Sequence, residues 1–352
     1  MSSKKTILIC PLNWGLGHAT RMIPVIDSAI LQGHTVIIAS DGDAFLLLRN
    51  HYPDINCIKL PSLTIKYGTG FFSHIKLFFS VPKILVWIKN DTKVLTSITN
   101  EYAIDLIISD NRWGMWSKRV KSVFVTHQLM IKLPRLFSFL EKTIFNFQQR
   151  ILNHFDEIWI PDSEDPILNL SGQLSHKYKA HKPTKFIGIL SQFSNSSDQK
   201  EFQYDVAIIL SGPEPQRSIL EKLLIDKMNI LSLKTIVVGG TFVTTIKNRN
   251  PNIEYQAFAN TDQLQEIYNS SKHIICRSGY TSLMDLIKLG KTAIIIPTPK
   301  QTEQEYLAKY VSANGWFKTL SQKGITTLSK DSFIDSFDRS NVAINYFTNY
   351  EF

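Results

Sequence analysis

Two patterns alternate along nearly the whole chain: short apolar runs rich in β-branched residues, and longer segments whose apolar residues recur every three to four positions. In the first half Thr6–Cys10, Thr35–Ser40, Asp105–Ser109, Ser122–Thr126 and Glu157–Ile160 predict buried strands, being short and nearly continuous in apolar residues. Between Arg21 and Gln32 the residues Met22, Ile26, Ala29 and Ile30 share one helical face, and Gly33 supplies a stop. The second half repeats the theme. It predicts strands Tyr204–Leu210, Lys234–Val238, His273–Cys276 and Lys291–Pro297, and helices Gln216–Met228, Asp262–Ser270, Thr281–Leu289 and Glu303–Ala313. Such alternation predicts α/β architecture, with mostly parallel sheets carrying helices on both faces.

A chain of 352 residues exceeds one ordinary hydrophobic core, so two doubly wound, Rossmann-like domains are expected. The polar, Ser-rich stretch Ser191–Lys200 marks the join. The expected division is a domain at 1–190, a linker at 191–203, a second domain at 204–325, and a closing segment at 326–352 that packs back on the first domain. Ligands of such sheets bind at the C-terminal ends of the strands, here in a cleft between the domains.

Composition fits folded domains, with 43% hydrophobic and 20% charged residues. Lys and Arg number 39 against 30 Asp and Glu, a net +9 that favours anionic partners without choosing among lipid, nucleic acid and phosphorylated substrates. Cys10, Cys57 and Cys276 are odd in number and widely spaced, and they read as small buried hydrophobes in a reducing cytosol. The apolar run after Met1-Ser-Ser-Lys-Lys is too short for a signal peptide, and no stretch has the length of a spanning helix, so a cytoplasmic protein is expected.

After the first strand comes Gly15-Leu16-Gly17-His18-Ala19-Thr20-Arg21. Gly15 and Gly17 let backbone approach a ligand at a helix N-terminus, where free N–H groups favour an anionic or oxygen-rich partner. His18 at that terminus stays neutral and reads as a general base; the plain alternative is a histidine bonded to its own loop. Arg21 is open between phosphate binding and covering the helix surface. A dinucleotide fingerprint is the rival for this turn, with Asp41 near the ribose position, but Thr20 replaces its third glycine. Asp41-Gly42-Asp43 spells an acid-x-acid pattern, and its place directly after a strand makes an ordinary turn the preferred reading over a metal site.

In the second half, Arg277-Ser278-Gly279-Tyr280-Thr281-Ser282 follows a strand and opens a helix. Gly279 permits the turn, while Thr281 and Ser282 set hydroxyls beside helical N–H groups, a cradle suited to a diphosphate. Asp285, a turn further on, is placed to accept ribose hydroxyls. Gln301, Glu303 and Gln304 at the next strand end suit a sugar's hydroxyls. The plain alternative is a capped helix and a solvated first turn.

Gly15-x-Gly17-His18 with Arg277-x-Gly279, Thr281, Asp285, Pro297 and Gln304 resembles glycosyltransferase family 28, across nearly the whole chain. The resemblance implies a GT-B fold and inverting transfer from a UDP-sugar held by the second domain to an acceptor held by the first. It also implies a phosphate loop at Ser211-Gly212, a uracil contact at Phe258, and an acceptor motif at His127-Gln128. The chain departs from the family in having Asp285 for Glu, Leu307-Ala308 for Asn-Ala, and Pro213 and Pro215 in the phosphate loop.

On this reading His18 is the base, followed by His127 and then Asp110 as candidates. The helix N-termini and Arg277 stabilise the leaving diphosphate, and no metal or cofactor is needed beyond the donor itself. Two other functions stand beside it. One is hydrolysis of a nucleotide sugar, since Gly-x-Gly-His-x-x-Arg also resembles the hydrolase of pseudaminic acid synthesis. The other is polyanion binding, though no nucleic-acid motif is present. Aromatic and basic runs at Gly70–Lys89 (Phe71, Ile75, Phe78 and Leu85 against Lys76 and Lys83, with Pro82 interrupting) and Met130–Arg150 (Lys132, Arg135, Phe137, Phe139, Lys142, Phe145, Phe147) add a further expectation. They predict a peripheral protein on an anionic inner membrane face with a lipid-linked acceptor; the alternative is a core helix pair with exposed lysines.

Overall fold

The computed structural model describes residues 3–62, 81–194, 201–241, 250–333 and 352. The chain divides into two compact units, meeting in sequence between Leu190 and Ser191. Phe352 belongs to the first: its carbonyl accepts from Lys5 Nζ at 2.8 Å, and its ring meets His34 edge-on at 5.8 Å.

The first unit is a seven-stranded sheet in the order β3-β2-β1-β4-β5-β6-β7 with every neighbouring pair parallel. Its strands are β1 (Thr6–Pro11), β2 (Thr35–Ser40), β3 (Asn56–Lys59), β4 (Leu106–Asp110), β5 (Lys121–Val125), β6 (Glu157–Ile160) and β7 (Thr184–Phe186). Its described helices are α1 (Gly17–Leu31), α2 (Gly42–His51), α3 (Val81–Glu101), α4 (Glu141–Leu152) and the single turn α5 (Gln173–His176), with a 3₁₀ segment at Arg135–Leu140. Ile7, Leu8, Ile9 and Cys10 are all fully buried, which is why this central strand reads as one apolar run.

The second unit is a six-stranded parallel sheet in the order β10-β9-β8-β11-β12-β13. It comprises β8 (Tyr204–Ile209), α6 (Gln216–Leu231), β9 (Thr235–Val238), β10 (Ile253–Gln256), α7 (Thr261–Asn269), β11 (Ser271–Cys276), α8 (Tyr280–Lys288), β12 (Ala293–Ile295), α9 (Thr302–Ala313) and β13 (Lys318–Thr319). Val206, Ile208, Ile275 and Ile294 of the sheet pack with Leu220 and Leu224 of α6 in one core.

Both sheets reverse strand order beside their first strand, between β1 and β4 and between β8 and β11. The switch point is where a parallel sheet opens a crevice between diverging connections. The chain spends its chemically distinctive residues there.

The predicted central strands and their helices are present. The short outer strands β3, β7, β10 and β13 are not foreseen, because Asn56, Lys59, Thr184, Lys185, Glu254 and Lys318 break the apolar pattern at a solvated sheet edge. Asp41-Gly42-Asp43 is a helix start, with Asp41 as N-cap of α2. The Asp41 carboxylate caps nothing because buried Arg112 takes it at 2.6 Å, while also forking onto both oxygens of Asp91 in α3 at 2.8 and 3.0 Å. Burial raises the Asp91 carboxyl above its ordinary range, and Arg112 pulls against it. Cys10 and Cys276 are buried thiols pushed up to about 12 by desolvation, inert as nucleophiles at neutral pH.

Candidate functional site

In the first unit the switch point assembles His18, Arg21, Asp110 and His127. Pro11 ends β1 directly opposite Asp110 at the end of β4, and Leu12 N–H donates to the Asp110 carbonyl at 3.0 Å. Gly15, at φ +86°, turns the chain back so that α1 begins at Gly17. His18 and Arg21 then lie one turn apart on α1, on the same face.

Arg21 is buried and forks onto Asp110, Nε to Oδ2 at 2.7 Å and Nη2 to Oδ1. His18 Nδ1 lies 3.3 Å from both Asp110 oxygens and 3.0 Å from Arg21 Nη2. Nδ1 of His18 is engaged by this pair; in the tautomer that carries its proton on Nδ1, the ring donates to Asp110 and leaves the Nε2 lone pair to accept a proton. Burial alone would raise the Asp110 carboxyl; Arg21 and His18 outweigh it and hold it down at about 2. Asp110 therefore stays charged beside His18 and Arg21.

His127, just after β5, is also buried, and its Nδ1 sits 3.1 Å from Arg21 Nη1. A guanidinium only donates, so Nδ1 accepts and the ring proton resides on Nε2. In that tautomer the imidazole offers an Nε2–H donor at the switch point. Ser175 Oγ fixes the backbone there by donating to the His127 carbonyl at 2.7 Å.

In the second unit α8 starts at Tyr280 with Gly279 as N-cap, and no N-cap side chain closes it. Thr281 and Ser282 are half-buried in its first turn. Asp285 is buried and accepts from Ser191 Oγ at 2.6 Å. Burial lifts its carboxyl to about 7, with the Ser191 bond pulling the other way.

Three expected ligand contacts are turned inward. Ser278 Oγ donates to the Gln304 carbonyl at 2.8 Å, and Gln304 Oε1 accepts from Thr298 N–H at 2.9 Å, so both side chains tie β12 to α9. Arg277 is fully buried and spends its guanidinium on the carbonyls of Ile296, Pro297 and Gln216 and on Gln322 Oε1. Its charge meets no carboxylate among the described residues, and burial lowers it to about 10. Gln301 is the exposed N-cap of α9 and Glu303 lies half-buried in its first turn. Ser211 and Gly212 precede α6 by five and four residues, Gly212 at φ +98° with open space where a Cβ would stand. The Phe258 carbonyl accepts from Gln256 Nε2 at 3.0 Å beside the Asn260–Gln263 capping box of α7.

Sequence reading left Arg21 undecided and passed over Arg217, a buried guanidinium at the start of α6 paired with Glu214 and Glu221. The i, i+3 spacing of His18 and Arg21 was the available signal.

Gly279, the start of α8 and the buried Asp285 fall within a strand-helix-strand succession that has known counterparts. Residues 235–332 match the glycosyltransferase family 28 C-terminal domain. The chain is 22% identical over 176 residues to a transferase of Sulfurihydrogenibium sp. (strain YO3AOP1). That relative is the UDP-N-acetylglucosamine–N-acetylmuramyl-(pentapeptide) pyrophosphoryl-undecaprenol N-acetylglucosamine transferase, and the match covers 47% of this chain and 50% of the relative. The chain thus spans about half the length of this curated relative. Among solved structures, the glycotransferase of kitacinnamycin aligns with TM-score 0.61 at 12% identity, over 94% of this chain and 89% of that one. MurG of Acinetobacter baumannii aligns with TM-score 0.52 at 12% identity, over 94% and 88%. The fold is GT-B, with the family 28 domain lying in the second unit.

Proposed function

We propose that the protein is an inverting glycosyltransferase that moves a sugar from a UDP-sugar to the hydroxyl of a lipid-linked acceptor at an anionic membrane surface. The observation that carries this reading is the His18–Asp110 pair at the switch point of the first sheet. His18 Nε2 takes the proton of the acceptor hydroxyl as its oxygen attacks the anomeric carbon from the face opposite the diphosphate. Asp110, fixed by Arg21, offsets the charge of the imidazolium that forms. In the second unit the N-terminus of α8 offers N–H groups to the departing diphosphate, and Asp285 accepts from the ribose.

Support for the acceptor side comes from the surface of the first unit. Leu136 and Phe139 are each 74% exposed on the 3₁₀ segment, beside Arg135, and Leu85 and Val86 are exposed on α3 between Lys83 and Lys89. Phe71, Ile75, Lys76 and Phe78 lie outside the described residues. Among the described residues no helix is long and apolar enough to cross a membrane.

The deciding experiment is His18→Ala. Turnover is expected to fall by about a hundred- to ten-thousandfold while UDP affinity stays within twofold or so of wild type, because the base acts only on the acceptor proton. A loss of about tenfold or less would remove His18 from the mechanism. Release of free sugar at the full rate without acceptor would make water the acceptor instead.

A further inference from the structure

The loop between β8 and α6 carries Glu214, whose carboxylate gathers donors of the kind a phosphate group takes. Arg217 Nε lies at 2.7 Å and Nη2 at 2.5 Å from Oε1, Ser218 Oγ donates to the same oxygen at 2.9 Å, and Ser218 N–H reaches Oε2 at 3.2 Å. A guanidinium edge, a hydroxyl and a first-turn amide of a helix form a common phosphate-binding set.

The two carboxylates on Arg217 differ in kind. Glu221 is 1% exposed and, with the Gly239 carbonyl, holds Nη1 at 3.0 and 3.1 Å. Glu214 is 54% exposed and takes the other edge of a guanidinium that is itself 5% exposed. If Glu214 swings out to water, Arg217 keeps its place and offers Nε and Nη2 as a preorganised fork. Were Glu214 to remain, an arriving phosphate would face two carboxylates on one cation.

An independent observation points to an anion at the same strand ends. Arg277 is fully buried, has no carboxylate partner among the described residues, and its Nε has no hydrogen-bond acceptor. Its Nη2 donates at 2.8 Å to the carbonyl of Gln216, the first residue of α6. A buried, unbalanced cation is costly unless a negative charge comes close. Gly212 leaves open space in the same loop.

We propose that Glu214 is a stand-in for phosphate, and that a phosphorylated ligand of the second unit binds by displacing its carboxylate from Arg217 and Ser218. Arg217 is then the cation that receives the ligand, in addition to the α8 terminus. With the nucleotide-sugar reading above, that ligand is the donor's diphosphate. The displacement sets a threshold: the ligand must out-compete a tethered carboxylate, which favours a diphosphate over a singly charged group.

The test is calorimetric titration of the full chain with inorganic pyrophosphate and, separately, with UDP. Glu214→Gln keeps the shape and removes the charge, and Glu214→Ala removes both; each is expected to tighten pyrophosphate binding by about tenfold. Arg217→Lys, which cannot fork, is expected to weaken it by about tenfold with the melting temperature reported alongside. Pyrophosphate affinity unchanged or weaker in both Glu214 variants overturns the proposal, and these variants alter an exposed side chain, so misfolding does not mask the result. Tight UDP binding that is indifferent to Glu214 sinks the stand-in and leaves the nucleotide reading. A tightened pyrophosphate site on a chain that ignores UDP keeps the stand-in and sinks the nucleotide reading.

Discussion

Asp285 and Asp110 are both buried carboxylates at strand-end sites, and their surroundings push them in opposite directions. Asp285 has one hydroxyl partner and rises to about 7; Asp110 has a guanidinium and an imidazole and falls to about 2. An unfolded Asp titrates near ~3.9, so the folded chain holds a proton on Asp285 that the unfolded chain has released. The contribution of Asp285 to stability therefore declines as pH rises from about 4 to about 7, then levels. Asp110 works the other way: its contribution is complete above about 4 and is lost as pH falls through about 2. Asp285→Asn is expected to flatten the decline between pH 4 and 7 and to melt above wild type at pH 8. On the proposed reading the same group ties ligand to proton, because the carboxylate accepts from both ribose hydroxyls through two oxygens, whereas the acid spends one oxygen as a donor and is the weaker acceptor. UDP affinity is expected to weaken below about pH 7 in wild type, and Asp285→Ala to lose about 1.5–3 kcal/mol at pH 8. Flat UDP affinity from pH 5.5 to 8 would remove Asp285 from the ribose.

At the scale of elements, α3 is clamped to the sheet by charge as much as by apolar packing. Arg112 joins Asp41 at the end of β2 to Asp91 in α3, and Gly114 lets the backbone come close enough for that bond. A Cβ on Gly114 would stand 2.5 Å from both the Asp91 Cβ and the Ile88 carbonyl. Gly114→Ala is expected to cost about 1–3 kcal/mol in chemical denaturation, by prying α3 from the sheet. A cost below about 0.5 kcal/mol would mean that the helix yields freely. The central strands were legible because burial on both faces leaves an unbroken apolar run, as in β1. Edge strands and α2 were not, since their polar residues satisfy local water or distant partners such as Arg112. His18 was legible from its glycine loop, but its orientation depends on the register that sets Pro11 against Asp110, a contact between positions 92 to 99 residues apart that periodicity does not encode. Arg217 hid behind a Pro-rich turn, where Pro213 and Pro215 spoil the expected glycine loop and Glu214 takes the charge.

For the molecule as a whole, the exposed apolar side chains and the +9 charge are what a test of the proposed membrane surface must address. Leu136→Glu with Phe139→Glu is expected to abolish flotation with anionic vesicles while leaving UDP affinity unchanged, since both residues lie in the first unit and the family 28 match lies in the second. Equal recovery of wild type with neutral and anionic vesicles would leave a soluble acceptor as the better reading. The register of β1 on β4 also bears on the order of folding. His18 is synthesised early and Asp110 far later, with β2, β3 and α3 threaded between them. Closing so long a loop is entropically expensive and is among the slower events for a parallel sheet. A ribosome-bound or refolding chain can therefore hold β1, α1 and β2 in native form and still lack the His18–Asp110 pair. The pair forms only when the fourth strand docks, so it is also a clock for the completion of the first sheet.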